Sequence, residues 1–145
     1  MSRARTPRLI FLLSNAERAV RRWIETRGRS NGMTAAKGGV LLYLRQNPAA
    51  TMSELSAALR ASPAGASGLL ARMEAGGLVV RAPDESDQRI TRVTLTQQGN
   101  HVAGETMTAL GSLNAALTEG FDEQELAIVA RWLSHAADVL NTAQR

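Results

Sequence analysis

Apolar positions along the 145-residue chain repeat with two different periods, and the change of period locates its elements. From Pro7 to about Arg27, Leu9, Leu13, Ala16, Val20 and Trp23 fall at the spacing of one helical stripe, and Gly28 follows as a stop. Gly28-Arg29-Ser30-Asn31-Gly32 reads as a loop. Thr34 can cap a second helix through Val40-Leu41-Leu42-Tyr43-Leu44, which ends before Asn47-Pro48. Thr51-Met52-Ser53-Glu54 then forms a capping box, in which the Thr51 and Glu54 side chains satisfy each other's backbone donors. The helix it opens is short, ends near Arg60 and keeps Leu55 and Leu59 on its buried side. Only Ala61 separates it from Ser62-Pro63, an N-cap followed by Pro at the first helical position. The next helix repeats Ala66, Leu69, Leu70 and Met73 on one face and stops at Gly76-Gly77. Two short helices with so tight a joint must cross steeply, which is the mark of a helix-turn-helix.

After Gly77 the period falls from about 3.6 to about 2. Leu78-Val79-Val80-Arg81 reads as one strand, and Ile90 through Leu95 as another, with Thr91, Val93 and Leu95 on one face. Between them Ala82 to Arg89 is polar and turn-rich. A two-stranded hairpin is marginal alone, so it must pack on the preceding helices, and a helix-turn-helix followed by such a hairpin is a winged helix. Thr96 caps a long helix to about Glu119, with Ala103, Thr106, Leu110, Leu113 and Leu117 at near-heptad spacing. Asp122 and Glu125 form a second capping box, Phe121 can staple onto Leu126, and Leu126, Val129, Leu133, Ala136 and Leu140 make the last stripe.

The pattern thus predicts a mainly α fold with a small two- to three-stranded β wing, in one domain spanning 1–145. Residues 33–95 form the winged helix-turn-helix, and helices over 7–28 and 96–143 flank it. The terminal helices carry more apolar surface than a winged helix alone needs. Either they pack together within the chain or they form a subunit interface. Two-fold dimers are the common way to present two recognition helices, which marks Leu9, Leu13, Leu126, Leu133 and Leu140 as interface positions.

Composition narrows the partners. Basic residues number 17 against 13 acidic ones, a net +4, but the balance is uneven. Residues 1–92 hold 15 basic and 7 acidic side chains, whereas residues 93–145 hold 2 and 6. The first segment alone, at +8, has the charge of a polyanion binder or of a solvated basic face. All its basic residues but Lys37 are Arg, whose planar fork suits phosphate. Aromatics make up only 3%, which argues against a single-strand binder built on stacking platforms. Cys is absent, removing disulfides, thiolate metal sites and cysteine-oxidation sensors.

Arg3, Arg5 and Arg8 before Leu9-Ile10-Phe11-Leu12-Leu13 superficially resemble a signal peptide. The apolar run is five residues long, and Glu17, Arg18, Arg21 and Arg22 follow closely, so it reads as the start of a mature helix in a cytoplasmic protein. No apolar run approaches the length of about 18 residues that spans a membrane. Enzymatic chemistry finds little footing. His101 and Glu105 share a helix face, but two ligands without a third do not make a metal site. His135 and Asp138 have no nucleophilic Ser on a strained turn. Gly65-Ala66-Ser67-Gly68 lies within a helix and lacks a phosphate loop's Gly-Lys ending. No catalytic activity, cofactor or metal is expected.

Gly77-Leu78-Val79-Val80-Arg81, then Asp84-Glu85-Ser86-Asp87-Gln88-Arg89, then Leu95-Thr96-Gln97-Gln98-Gly99 resembles the MarR (multiple antibiotic resistance regulator) family. That family's wing reads Asp-x-Arg-Asp-x-Arg, followed by a strand and Leu-Thr-x-x-Gly, at the same spacing. The resemblance implies a homodimeric transcriptional regulator, usually a repressor. Its winged helix would bind a near-palindromic operator in double-stranded DNA and be released by a small, often aromatic ligand. It also implies that the helix from Pro63 to Ala75 is the recognition helix, with Ser62, Ala64, Gly65, Ser67 and Gly68 facing the major groove. Arg89 would meet the minor groove or an adjacent phosphate, and Asp87 would orient Arg72 or Arg89. Thr51, Ser53, Arg72 and Gln88 complete the expected DNA face.

Three departures stand out. Ser86 replaces the middle Arg of the wing. The first turns of the recognition helix contain no Arg, Asn or Gln, the usual base readers, so readout falls to small residues and DNA shape, or specificity is low. A low-specificity architectural DNA-binding protein, or a regulator with no ligand, is therefore the alternative. Lys37-Gly38-Gly39 stands where the family has Gln and a bulky aromatic. Two glycines inside a helix mean either close packing of another helix or a widened ligand pocket. For the pocket, Arg22, Trp23, Lys37, Gly38, Gly39, Tyr43 and Met107 are the candidate lining, with Lys37 or an Arg able to pair a carboxylate.

Overall fold

The computed structural model describes residues 8–143, so Arg3, Arg5 and the expected helix start at Pro7 lie outside the described residues. Six helices and three short strands follow in the order α1 (Leu9–Gly28), α2 (Ala35–Gln46), β1 (Ala50–Thr51), α3 (Met52–Leu59), α4 (Pro63–Ala75), β2 (Val79–Pro83), β3 (Thr91–Leu95), α5 (Gln97–Thr118) and α6 (Glu123–Thr142). The chain divides into two compact units, Met1–Thr106 and Met107–Arg145, and the division falls inside α5.

In the first unit the helix starts are set by side-chain caps. The hydroxyls of Thr34, Thr51 and Ser62 accept from the backbone N–H groups of Lys37, Glu54 and Gly65. Thr51 and Glu54 form the reciprocal box. The apolar faces these helices present converge on one core, built from Val40, Leu41 and Leu44 of α2, Leu55 of α3, Leu69, Leu70 and Met73 of α4, Val79 and Val93 of the sheet, and Ala103 of α5. Ala66 of α4 is buried as well.

The antiparallel sheet has the order β1-β3-β2, with Val79 opposite Leu95, Arg81 opposite Val93, and Ala50 opposite Val93 on the other side. β1 has no signature in the periodicity because two residues cannot display a period. β2 runs on to Pro83, which an edge strand tolerates because it needs no outward N–H. Ile90 falls outside β3, and its carbonyl accepts from the Asp84 N–H at 2.8 Å to close the loop.

Two glycines earn their place by close approach. Gly28 is the last, buried residue of α1, and a Cβ there would run into the Met33 carbonyl. The left-handed residue of that loop is Gly32, with φ 67°. Gly28 therefore ends α1 where the stop was expected and permits close packing there, while the left-handed turn falls to Gly32. Gly99 likewise leaves room for the Leu78 carbonyl. Beside it the Thr96 hydroxyl donates to the Gly77 carbonyl at 2.6 Å and accepts from the Gly99 N–H at 2.9 Å. The Leu-Thr-x-x-Gly run thus fastens the start of α5 to the end of α4.

In the second unit, Asp122 and Glu125 form the expected capping box at the start of α6. No residue of α6 is buried.

Candidate nucleic-acid interface

The turn between α3 and α4 is made by Arg60 in the left-handed region, φ 51°. The Arg60 and Ala61 N–H groups return to the carbonyls of Ala57 and Ser56 and close α3. Ser62 then caps α4 at once, so the two helices join with a single residue between cap positions. With Ala66, Leu69, Leu70 and Met73 turned inward, Ala64, Gly65, Ser67 and Arg72 are left exposed and Gly68 half-buried. Ser53 and Ser62 are exposed too, while Thr51 is half-buried with its hydroxyl committed to the Glu54 N–H at 3.1 Å.

The wing is braced by a carboxylate that the sequence reading passed over. Asp84, only 8% exposed, accepts on Oδ1 from the Ser86 hydroxyl at 2.5 Å, the Ser86 N–H at 2.8 Å and the Asp87 N–H at 3.1 Å. Its Oδ2 takes Nε of Arg92, whose Nη1 donates to the Ala49 carbonyl at 2.9 Å. One guanidinium therefore ties the wing loop to the turn before β1, where Ala49 itself is left-handed with φ 58°. The Ser86 hydroxyl, with Arg92 next, holds the Asp84 carboxyl well below the usual carboxylate range. Ser86 thus supplies a local hydrogen bond where the wing pattern has a charge. The Asp-x-Ser spacing of an Asx-turn was the available signal for this arrangement.

Of the two partners considered for Asp87, the structure selects Arg89. The Asp87 carboxylate accepts from Arg89 Nε at 3.0 Å, Nη2 at 2.9 Å and the Arg89 N–H at 3.0 Å. Arg72 is not among its partners. The fork lowers the Asp87 pKa and raises that of Arg89. Arg89 remains 90% exposed, with Nη1 turned to no carboxylate, and Gln88 beside it is exposed. At the wing's base Glu74 of α4 accepts the Arg81 N–H at 2.9 Å and its guanidinium at 2.8 and 3.0 Å, a second pair the sequence reading missed. The backbone N–H of Arg81, then its side chain, lowers the Glu74 pKa.

The residues expected to line a ligand pocket have their own local roles. Lys37 Nζ donates to the Gly32 carbonyl at 2.8 Å, and Arg27 stacks over Trp23 with its guanidinium 4.4 Å from the ring centroid. Arg22 is exposed and Tyr43 packs against the core. A Cβ on Gly39 would stand 3.2 Å from Leu59 Cδ2, so α3 packs closely on that backbone, whereas a Cβ on Gly38 would meet Thr106 at an ordinary 3.8 Å. Met107 belongs to the second unit and is exposed. His101 and Glu105 form an exposed pair at 3.5 Å, and no three metal-ligating side chains converge among the described residues. No helix among them is long and apolar enough to cross a membrane.

A helix-turn-helix whose second helix shows a bare outer face, followed by a braced hairpin carrying an exposed arginine, defines a winged-helix protein. Residues 31–90, from the loop before α2 through the wing, match the model of the MarR family. Among solved structures, the transcriptional regulator SlyA superposes with a TM-score of 0.85 at 18% identity, over 94% of this chain and 96% of its own. A mutant of MarR from E. coli complexed with operator DNA gives 0.77 at 25% identity, over 88% and 92%. BpsR of Bordetella bronchiseptica, whose DNA binding is regulated by 6-hydroxynicotinic acid, gives 0.79 at 22%, over 95% and 99%. No curated protein matches the chain by sequence. Over residues 31–90 the chain is thus similar to the MarR family, and its fold is that of the regulators it superposes on.

Proposed function

We propose that the chain is a transcriptional regulator that binds double-stranded DNA as a homodimer and represses from a near-palindromic operator. In this reading it acts in the cytoplasm and carries no catalytic activity. α4 enters the major groove through Ser62, Ala64, Gly65, Ser67, Gly68 and Arg72. Thr51, Ser53 and Gln88 flank it, while Arg89, oriented by Asp87, reaches the minor groove or its phosphates. The observation that carries this reading is the wing. Asp84 and Arg92 hold the loop rigidly, yet Arg89 at its tip stays almost wholly exposed with donors to spare. A guanidinium kept in solvent by a braced loop is placed for an anionic partner.

Leu9, Leu13, Leu126, Leu133 and Leu140 supply the dimer contact. A small aromatic ligand that releases the DNA is supported by the behaviour named for BpsR. Of the expected lining, Arg22, Trp23, Lys37, Gly38, Gly39 and Tyr43 belong to the first unit and are the ligand's candidate contacts. The close packing of Leu59 on Gly39 gives that glycine a structural reason as well. The small residues on the first turns of α4 favour a second reading, a low-specificity architectural DNA binder or a regulator without ligand. Competition between the protein's own upstream DNA and bulk DNA separates these. A specific regulator prefers its own region by about a thousandfold or more, whereas equal competition supports the architectural reading.

A further inference from the structure

We infer that Arg72 is the residue through which α4 reads base identity, with the edge of a guanine in the major groove as its target. The inference rests on the DNA-binding reading above and narrows it to one side chain. Every exposed residue of α4 other than Arg72 is Pro, Ala, Gly or Ser. Among those only Ser67 has a polar side chain, a hydroxyl that serves any base and cannot form a bidentate pair. Ser62, the cap, has its oxygen on the Gly65 N–H at 3.1 Å. Glu74 is half-buried and held by Arg81. The outer face of the helix therefore offers one forked donor.

The position of that donor answers the objection that it arises too late in the helix. Helical side chains lean toward the N-terminus, so a residue covers the surface above the one four positions earlier. Nη1 of Arg72 stands 3.5 Å from where a Cβ on Gly68 would be. The bare backbone at Gly68 is thus a shelf that carries the guanidinium one turn forward, toward the end of a recognition helix that meets bases. The group is also uncommitted. Arg81, Arg89 and Arg92 of the wing each hold a carboxylate, and Arg72 holds none among the described residues. Two parallel N–H donors match O6 and N7 of guanine, the commonest specific contact between a side chain and a base. A phosphate would accept the same fork without regard to sequence.

Selection of bound duplexes from a randomised pool, using the full chain and three variants, tests this. The wild type enriches a motif with a fixed G·C pair in each half-site. Arg72→Ala loses preference at that pair alone and binds the wild-type motif roughly tenfold to a hundredfold more weakly. Arg72→Lys keeps guanine as the preferred base with weaker discrimination. Gly68→Leu removes no charge and improves helix propensity, yet it displaces the guanidinium and relaxes the same pair. Unchanged thermal unfolding of each variant confirms that the fold is intact. A motif that survives Arg72→Ala, with only the salt slope reduced by about one, assigns Arg72 to a phosphate and overturns the inference. A wild-type chain that enriches no motif overturns sequence-specific binding together with it.

Discussion

In α4, Ala66, Leu69, Leu70 and Met73 are at most 9% exposed, whereas in α6 the equally regular Val129, Leu133 and Leu140 keep 47%, 43% and 56% of their surface in solvent. Both helices are amphipathic by sequence and both start on side-chain caps. They differ in where their apolar surface goes. The stripe of α4 meets α2, α3 and the sheet within one core, so the winged helix completes itself. Among the described residues of α6 none is buried. Burying apolar surface is worth about 25 cal/mol per Å², so in the proposed dimer this stripe is what association would cover. The same periodicity thus encodes a finished core in one place and an unfinished surface in the other.

The largest effect expected from this contrast comes from α6. On the proposed homodimer, Leu133→Asp with Leu140→Asp yields a monomer by light scattering and weakens operator binding by roughly a hundredfold or more, as two linked half-site contacts become one. A variant that remains dimeric breaks the comparison. Leu70→Ala, in the finished core, destabilises the fold by about 2–5 kcal/mol in chemical denaturation, with no direct effect on subunit contacts. Arg89→Ala leaves both core and association intact and lowers the salt slope of DNA binding by about one. An unchanged affinity across a salt titration removes the wing tip from the interface.

The smallest effect is the most local. The folded pKa of Asp84 lies below its unfolded value, so its stabilisation is fully present above about pH 4 and is lost as pH falls further. Asp84→Asn therefore lowers Tm at pH 7, and the gap to wild type narrows on acidification. A gap that stays constant from pH 7 to pH 2 excludes the carboxylate as its cause.

What the sequence made legible follows the reach of each interaction. The caps at Thr34, Thr51, Ser62 and Asp122 and the burial of α4 depend on residues within one or two turns, and all were readable. The Asp84–Arg92–Ala49 brace joins residues 8 and 43 positions apart, and no local pattern announces it. β1 was hidden because its two residues are specified by pairing with Val93 and Arg92, which only the fold brings near. Gly28 was legible as a boundary, but the Met33 carbonyl that requires a glycine there was not, because it arrives through the turn at Gly32. Of the candidate site, the helix and Arg89 were legible by position. The reach of Arg72 over Gly68 was not, since attention to the first turns alone misses a side chain that leans back into them.

The internal pairing of the wing's arginines also alters the protein's ion atmosphere. Arg81 and Arg92 already face carboxylates, so they gather fewer mobile anions around the wing than free guanidinium groups would, while Arg89 at the tip stays open to solvent. On the proposed DNA-binding reading, a surface wired in this way depends on salt less steeply than its count of arginines suggests, and Arg89 carries most of the dependence that the wing retains.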